Sequence, residues 1–471
     1  MDEKQELERL NRIFDLQTKA YQETGAEGYE VRLDRLDRTL AMVEKFEAAL
    51  CKAMDDDFGG RNPMMSLGLD FVGTVVELKF AKKNLRKWMK PERRKVNFPL
   101  GLVGAKASLL REPKGVVGNM PTWNFPTNLA LSPLAGIFAG GNRCMIKMHE
   151  NSPATTAVLK EAVTEFFNEN ELAVFGGGLK VSTTFSSTAF DHILYTGSIN
   201  VGKLVMEAAA KNLTPVTLEL GGKCPVFVSR SANKADMASK VVYGKMSNAG
   251  QICLAPDYLV VAEDQKDDVV SRIIVETQSQ FSNPTQNDDY TAMINNAQYE
   301  RVQGLVKDAK DKGAKVTIVD AGDGGKNNKK MPLHILENVN EDMAVMKEEI
   351  FGPVLPIVTY KNFDEAIANM RGKDKPLASY YFGTDSKEQG KVIDHVPSGA
   401  TTVNDVLFHV LQADLPFGGV GNSGMGSYHG RDGFNEFTNP RALYKQGWLD
   451  VGKFIRPPFK AIHEKIIRSM M

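Results

Sequence analysis

The sequence predicts an α/β protein of two or three domains built on parallel βαβ units. Its 471 residues are too many for one compact core. Beyond residue 110, short β-branched runs alternate with turn signals and amphipathic helical stretches, the pattern of crossover-connected parallel strands. Hydrophobic residues at 42% and charged residues at 25% are the balance of an ordinary globular chain.

The elements follow in order. Leu7, Leu10, Phe14 and Tyr21, then Leu33, Leu36, Leu40, Val43 and Leu50, recur at helical steps and predict two helices packed on a core. Gly59-Gly60-Arg61-Asn62-Pro63 ends the second. Strands are expected at 115–118, 143–147 and 192–195, with a helix from Pro153 to Asn168 between them and another from Lys203 to Ala210. A second α/β series runs from Pro225 to Asn404, with strands at 226–228, 258–261, 315–319 and 354–358. The 322–330 stretch reads as an exposed loop. The glycine-rich run 416–426 needs positive φ or close backbone approach, and a structural loop is its simplest reading. After Arg456-Pro457-Pro458 comes a short basic helix with Phe459, Ile462, Ile466 and Met470 on one face, suited to a partner subunit or a membrane surface.

Charge narrows the function classes. Lys+Arg and Asp+Glu both number 58, so no net field gathers nucleic acid or anionic lipid. The four cysteines, Cys51, Cys144, Cys224 and Cys253, are too scattered for a disulfide framework or a metal site and suit a reducing, cytoplasmic compartment. The start MDEKQELERL is not a secretory signal, and no run reaches the ~18 apolar residues of a membrane span.

Five places can carry chemistry. Cys253, in Asn-Ala-Gly-Gln-Ile-Cys, is flanked by glycine and polar residues that leave the backbone open to a substrate; a buried thiol is the plainer reading. Glu219 interrupts an apolar strand before two glycines, as a structural ion pair or as a base that activates water. Asn124 sits between Pro121 and Pro126, where a stiffened loop could aim its amide at an oxyanion or simply make a turn. Gly197 and Ser198 fill a strand–helix junction fit for a phosphate, although the spacing is not G-x-G-x-x-G. Lys147 and Glu150 follow another strand and could bind ribose hydroxyls or be a solvated strand end.

Taken in order, Met120–Pro126, Glu219-Leu220-Gly221-Gly222-Lys223, Gly250-Gln251-Ile252-Cys253 and Lys347–Val354 resemble the motifs of the aldehyde dehydrogenase superfamily along essentially the whole chain. Cys253–Tyr258, Asn404–His409 and Gly424–Gly430 are similar to its class 3-like branch. Gln412–Phe417 and Arg456–Phe459 look most like bacterial coniferyl-aldehyde dehydrogenases.

The resemblance implies a Rossmann-like NAD(P)-binding domain (1–95 and 115–220), a catalytic α/β domain (221–405), a small β bridging element that builds a homodimer (96–114 and 406–450), and a tail (451–471). It also implies roles: Cys253 as nucleophile, Asn124 as oxyanion donor, Glu219 as base. Lys147 and Glu150 would hold the adenine-side ribose, Gly197 and Ser198 lie near the pyrophosphate, and Glu349 with Phe351 position the nicotinamide. Glu150 favours NAD over NADP, with NADP tolerated. The substrate would be a small aldehyde, aromatic or medium-to-long aliphatic.

The chain departs from the pattern in Pro121-Thr122-Trp123, Tyr195 and Cys224, and in Lys147-Met148-His149-Glu150, the last of which puts the ribose contacts in question; none removes a catalytic group. A CoA-acylating enzyme is the chief alternative, disfavoured because Glu219 is kept. A catalytically silent binding relative is another, disfavoured because Cys253, Asn124 and Glu219 all remain.

Overall fold

The computed structural model describes residues 2–320, 322 and 328–469. A six-stranded sheet takes five strands from the first half of the chain and one from residues 424–425. Its order is Gly424–Met425, Val216–Leu220, His192–Gly197, Val116–Met120, Arg143–Lys147, Leu172–Phe175, with all neighbours parallel except the first pair. Alternation along these strands sends Val116, Met145, Ile193 and Leu218 to one core cluster and Val117, Ile146 and Leu194 to another. Helices Glu3–Thr24 and Leu179–Ser186 cover the first face, and Tyr29–Phe58 and Pro153–Phe166 the second.

The predicted helical stripes are buried at Leu10, Leu36, Val43 and Leu50, and the second helix ends on Gly59 in the left-handed region (φ 68°). The next helix starts at Pro63 under an Asn62 cap. The helix read from Pro153 stops at Phe166, two residues short of the expected end.

The second sheet has seven strands in the order Lys315–Ile318, His334–Glu337, Val354–Tyr360, Tyr258–Ala262, Pro225–Val228, Ala378–Phe382, Ala400–Val403, parallel except at the first pair. A third, antiparallel sheet joins Glu92–Arg94, Lys106–Pro113 and Thr438–Lys445. The tail forms a helix over Ala461–Ser469, so Phe459 precedes it, and Met470 lies outside the described residues.

Residues 323–327 of the expected exposed loop also lie outside the described residues. Its end corrects that expectation. Lys329 donates to the Phe58 and Ile294 carbonyls, and Lys330 is buried and donates to Asn287. Among the described residues no helix is long and apolar enough to cross a membrane.

Candidate active site

In the first sheet the chain steps outward in one direction from Val116–Met120 through Arg143–Lys147 to Leu172–Phe175. It then returns to place His192–Gly197 on the other side of Val116–Met120. Such a reversal opens a crevice at the carboxyl ends of the two strands. The loops leaving Met120 and Gly197 both line a cavity of about 790 Å³ there. Asn124, Gly197, Ser198, Glu219, Cys253, Glu349 and Phe351 share this one cavity. Lys147 and Glu150 do not line it.

Cys253 follows a strained turn. Asn248 and Ala249 are both left-handed (φ 51° and 54°), and Gly250 follows at 71°. A side chain on Gly250 would meet the Gly352 carbonyl, so this turn packs directly on the Glu349–Gly352 segment. Gln251 ties the turn down, donating to Asn248 and Ala292 and accepting from the Ile294 N–H. Cys51, Cys144 and Cys224 are buried, whereas Cys253 is partly exposed and reaches the cavity. Burial, then the Glu349 and Glu219 carboxylates, push its thiol up, while the Cys253 and Leu254 N–H groups pull the other way. The resting group is therefore a thiol that needs a proton acceptor to become a nucleophile.

Glu219, the last residue but one of strand Val216–Leu220, is buried, and both carboxylate oxygens lack a hydrogen-bond partner. Burial, seconded by Glu436, holds it well above the usual carboxylate range. Of the two readings left open by the sequence, the ion pair has no partner to support it. The glycine-rich run explains the burial: Gly424 and Met425 form an edge strand opposite Glu219 and Leu218. Gly424 lies at φ 149°, where a Cβ would sit 2.2 Å from the Leu218 carbonyl.

Glu349 is partly exposed, with Oε1 buried and unpartnered, and is pushed up to about 8 by burial and by Asp257, against a Gly222 N–H that stabilises its charge. A Cβ on Gly221 would collide with its carboxylate, so the glycine there makes room for it. Arg301 grips the backbone behind it at the Ile350 carbonyl, 2.6 Å. Phe351 is left-handed (φ 49°) and sets its ring edge-on to Trp123 at 5.4 Å.

Asn124 is buried, with Nδ2 donating to the Gln251 carbonyl (3.0 Å) and Oδ1 without a partner. An amide carries two N–H donors, so one remains for a ligand in the cavity.

Gly197 ends its strand, and Ser198 caps helix Ile199–Ala210. Ser198, Ile199 and Asn200, at the start of that helix, line the cavity, where first-turn N–H groups suit an anionic phosphate. Tyr195 fits here without loss: its hydroxyl hydrogen-bonds Ser198, while burial raises it to about 12. Lys147 is buried and donates to the Met148 and Gly177 carbonyls at 2.6 and 2.8 Å, and burial lowers it to about 8. Glu150 is exposed beside His149 at 3.6 Å. Both stand at the carboxyl edge of the same sheet, two strands from Gly197.

Sequence reasoning missed part of the lining. Phe417, Tyr428 and His429 come from the glycine-rich region and the stretch after it, and Phe408, Val410 and Leu411 from the loop before it. Their aromatic and apolar character was visible; their destination was not.

Comparison with known proteins agrees with this geometry. Residues 4–443 match the model of the aldehyde dehydrogenase family. A probable coniferyl aldehyde dehydrogenase of Caulobacter vibrioides is 46% identical, over 96% of this chain and 94% of the relative. A coniferyl aldehyde dehydrogenase of a Pseudomonas species is 44% identical, over 97% and 95%. The substrate-bound structure of Staphylococcus aureus AldH superposes with a TM-score of 0.91 at 34% identity, over 98% of this chain and 99% of that one. A Mycobacterium tuberculosis aldehyde dehydrogenase complexed with NAD+ gives 0.80 at 25% identity, over 89% and 86%. This chain belongs to the aldehyde dehydrogenase family and is an NAD(P)-dependent oxidoreductase acting on aldehydes.

Proposed function

We propose that the chain oxidises an aromatic aldehyde, with coniferyl aldehyde the first candidate, to its carboxylic acid through a thioester on Cys253. The observation that carries this reading is the meeting, in one cavity, of a thiol, an amide with a spare N–H and two carboxylates with unpartnered buried oxygens. A coniferyl aldehyde dehydrogenase and a probable one among the relatives support the substrate. So does a cavity lined by Phe125, Tyr243, Phe408, Phe417 and Tyr428, a surface suited to a planar ring. Medium- and long-chain aliphatic aldehydes are the second substrate class.

The Cys253 thiol gives its proton to a neighbouring carboxylate and its sulfur bonds the aldehyde carbon. The Asn124 amide and the Cys253 N–H receive the developing oxyanion. NAD(P), when bound, supplies the two-electron acceptor; Gly197, Ser198 and the first turn of helix Ile199–Ala210 would hold its phosphates, and Phe351 its nicotinamide end. Once oxidised, the carbon remains as a thioester on Cys253. Glu219 takes a proton from water, the hydroxide adds to that carbon, and the carbon–sulfur bond breaks to release the acid.

Between the two carboxylates, Glu219 suits the base role better. Neither of its oxygens is engaged, whereas Glu349 is already held by the Gly222 N–H. The same free carboxylate favours water over CoA as the acyl acceptor. Lys147 and Glu150 would hold the adenine-side ribose, with Glu150 favouring NAD over NADP; Lys147 would first have to release its two carbonyls.

Sheet 92–94, 106–113 and 438–445 leaves most of strand Thr438–Lys445 exposed, with Phe98, Leu102 and Trp448 exposed beside it. That surface is proposed as the homodimer contact, and light scattering checks it. A cytoplasmic location is proposed with it.

NADH formation with NAD and a panel of cinnamyl, benzyl and aliphatic aldehydes tests the whole reading. Coniferyl aldehyde is expected to give the highest kcat/KM, with NADP slower than NAD. Aliphatic aldehydes ranking first would overturn the substrate, and a CoA-dependent product would overturn hydrolysis.

A further inference from the structure

The segment that presents Asn124 is held from outside by two buried charges. Arg61 Nη2 and Asp70 Oδ2 pair at 2.7 Å with neither side chain exposed. Removing both ions from water is costly, so the pair persists only through its geometry and further hydrogen bonds. Those bonds converge on one short stretch of chain. Arg61 Nη1 donates to the Asn124 carbonyl at 3.2 Å. Asp70 Oδ1 accepts the Thr127 and Asn128 N–H groups at 3.1 and 3.0 Å. Asn128 returns a hydrogen bond from Nδ2 to the Asp70 carbonyl.

Each half of the pair is itself anchored. The Arg61 N–H donates to Asp55 Oδ1 at 2.7 Å, and its guanidinium lies over the Phe58 and Phe125 rings at 4.9 and 5.6 Å. Asp70 sits in a single π turn, Leu67–Phe71, between helices Pro63–Ser66 and Val72–Trp88.

We propose that Arg61 and Asp70 are positioning residues for the oxyanion step: the pair grips residues 124–128 at both ends and so sets where the spare Asn124 N–H lies relative to Cys253. The proposal rests on the oxyanion role given to Asn124 above. The physical need is tight, since a displacement of about 1 Å at a reacting group can lower a rate roughly 100-fold. The second donor to the same carbonyl, Asn248 Nδ2 at 3.2 Å, comes from the nucleophile's own turn. The Asn124 peptide is thereby fixed both to Cys253 and to the N-terminal helices. Asp70→Asn keeps the shape and removes the charge; Arg61→Lys keeps the charge and removes the fork that reaches Asn124.

The test is a double-mutant cycle read in kcat. Asp70→Asn and Arg61→Lys are each expected to lower kcat about 10- to 100-fold, while the NAD dissociation constant and the rate of Cys253 alkylation by iodoacetamide stay within about 2-fold. In an Asn124→Ala background the same substitutions are expected to cost less than about 3-fold, because the donor they position is gone. A full multiplicative loss in that background, or equal losses in alkylation and NAD binding, would overturn the proposal in favour of a general structural role. Unchanged kcat in both single variants would overturn it too. Should Asp70→Asn not fold, Arg61→Lys carries the same cycle alone. If Asn124→Ala by itself leaves kcat intact, the oxyanion reading has failed, and that result is separate from the behaviour of the pair.

Discussion

Two regions of this molecule bury charge, and they treat it in opposite ways. Beneath the N-terminal helices, Glu171 receives Arg35 and Arg38, and Glu27 receives Arg35 and Arg143. Burial alone would raise Glu171, yet hydrogen bonds and charge from Arg38 and Arg35 outweigh it and hold it at about 2. In the cavity, Glu219 has no partner for either oxygen and Glu349 leaves one unsatisfied, and both are raised. A paired buried carboxylate fastens helices to a sheet. An unpaired one is costly to the fold and persists where protons must move.

The contrast can be broken or sharpened by substitution. Cys253→Ser should cause the largest loss, at least about 10,000-fold in NADH formation, because a serine hydroxyl is far less acidic than a thiol and a carboxylate is too weak a base to ionise it. Asn124→Ala should cost about 100- to 1,000-fold in kcat, the scale of one oxyanion donor; a change confined to KM would contradict that role. Glu349→Gln should speed Cys253 alkylation a few-fold above pH 8. Glu349 becomes charged as pH rises through about 8, and its charge pushes the thiol up, so removing it leaves more thiolate. No change in the alkylation profile between pH 8 and 10 would separate the two groups.

Glu171→Gln is the counterpart from the paired region. It should leave kcat within about 2-fold and lower stability by about 3 kcal/mol, read by denaturant unfolding. The sign with pH follows from the depressed value. The Glu171 contribution is fully present above the ordinary carboxyl value of 4.5 and is lost as pH falls toward about 2. The difference in stability between the wild type and the variant should therefore shrink across that interval. A stability difference that grows on acidification would contradict the paired reading.

How much of this was legible beforehand depended on distance along the chain. Cys253, Glu219 and Asn124 each sit in a local run whose composition is odd for its setting: glycine and polar residues before a thiol, a carboxylate inside an apolar strand, an amide between prolines; Glu349 was legible only through the family resemblance. The two parallel series were legible because alternation and turn residues are local too. What stayed hidden was pairing between remote segments. Gly424 closes over Glu219, and Arg61 reaches Asn124, through contacts that no window of sequence contains. Lys147 shows the opposite case. Its place after a strand was read from the sequence, but its ammonium turns to the Met148 and Gly177 carbonyls. That choice depends on a neighbouring strand's loop.

The most direct test of the account is a stopped-flow record of NADH formation by Glu219→Gln with a saturating aromatic aldehyde. A base that acts only on water leaves thioester formation intact and slows its hydrolysis about 100- to 10,000-fold. The account therefore predicts a burst of close to one NADH per Cys253, followed by a very slow steady phase, with the acyl group found on Cys253 by mass spectrometry. A variant that turns over at the wild-type rate, or one that shows no burst and no acyl-enzyme, would contradict the assignment of the unpartnered carboxylate to hydrolysis.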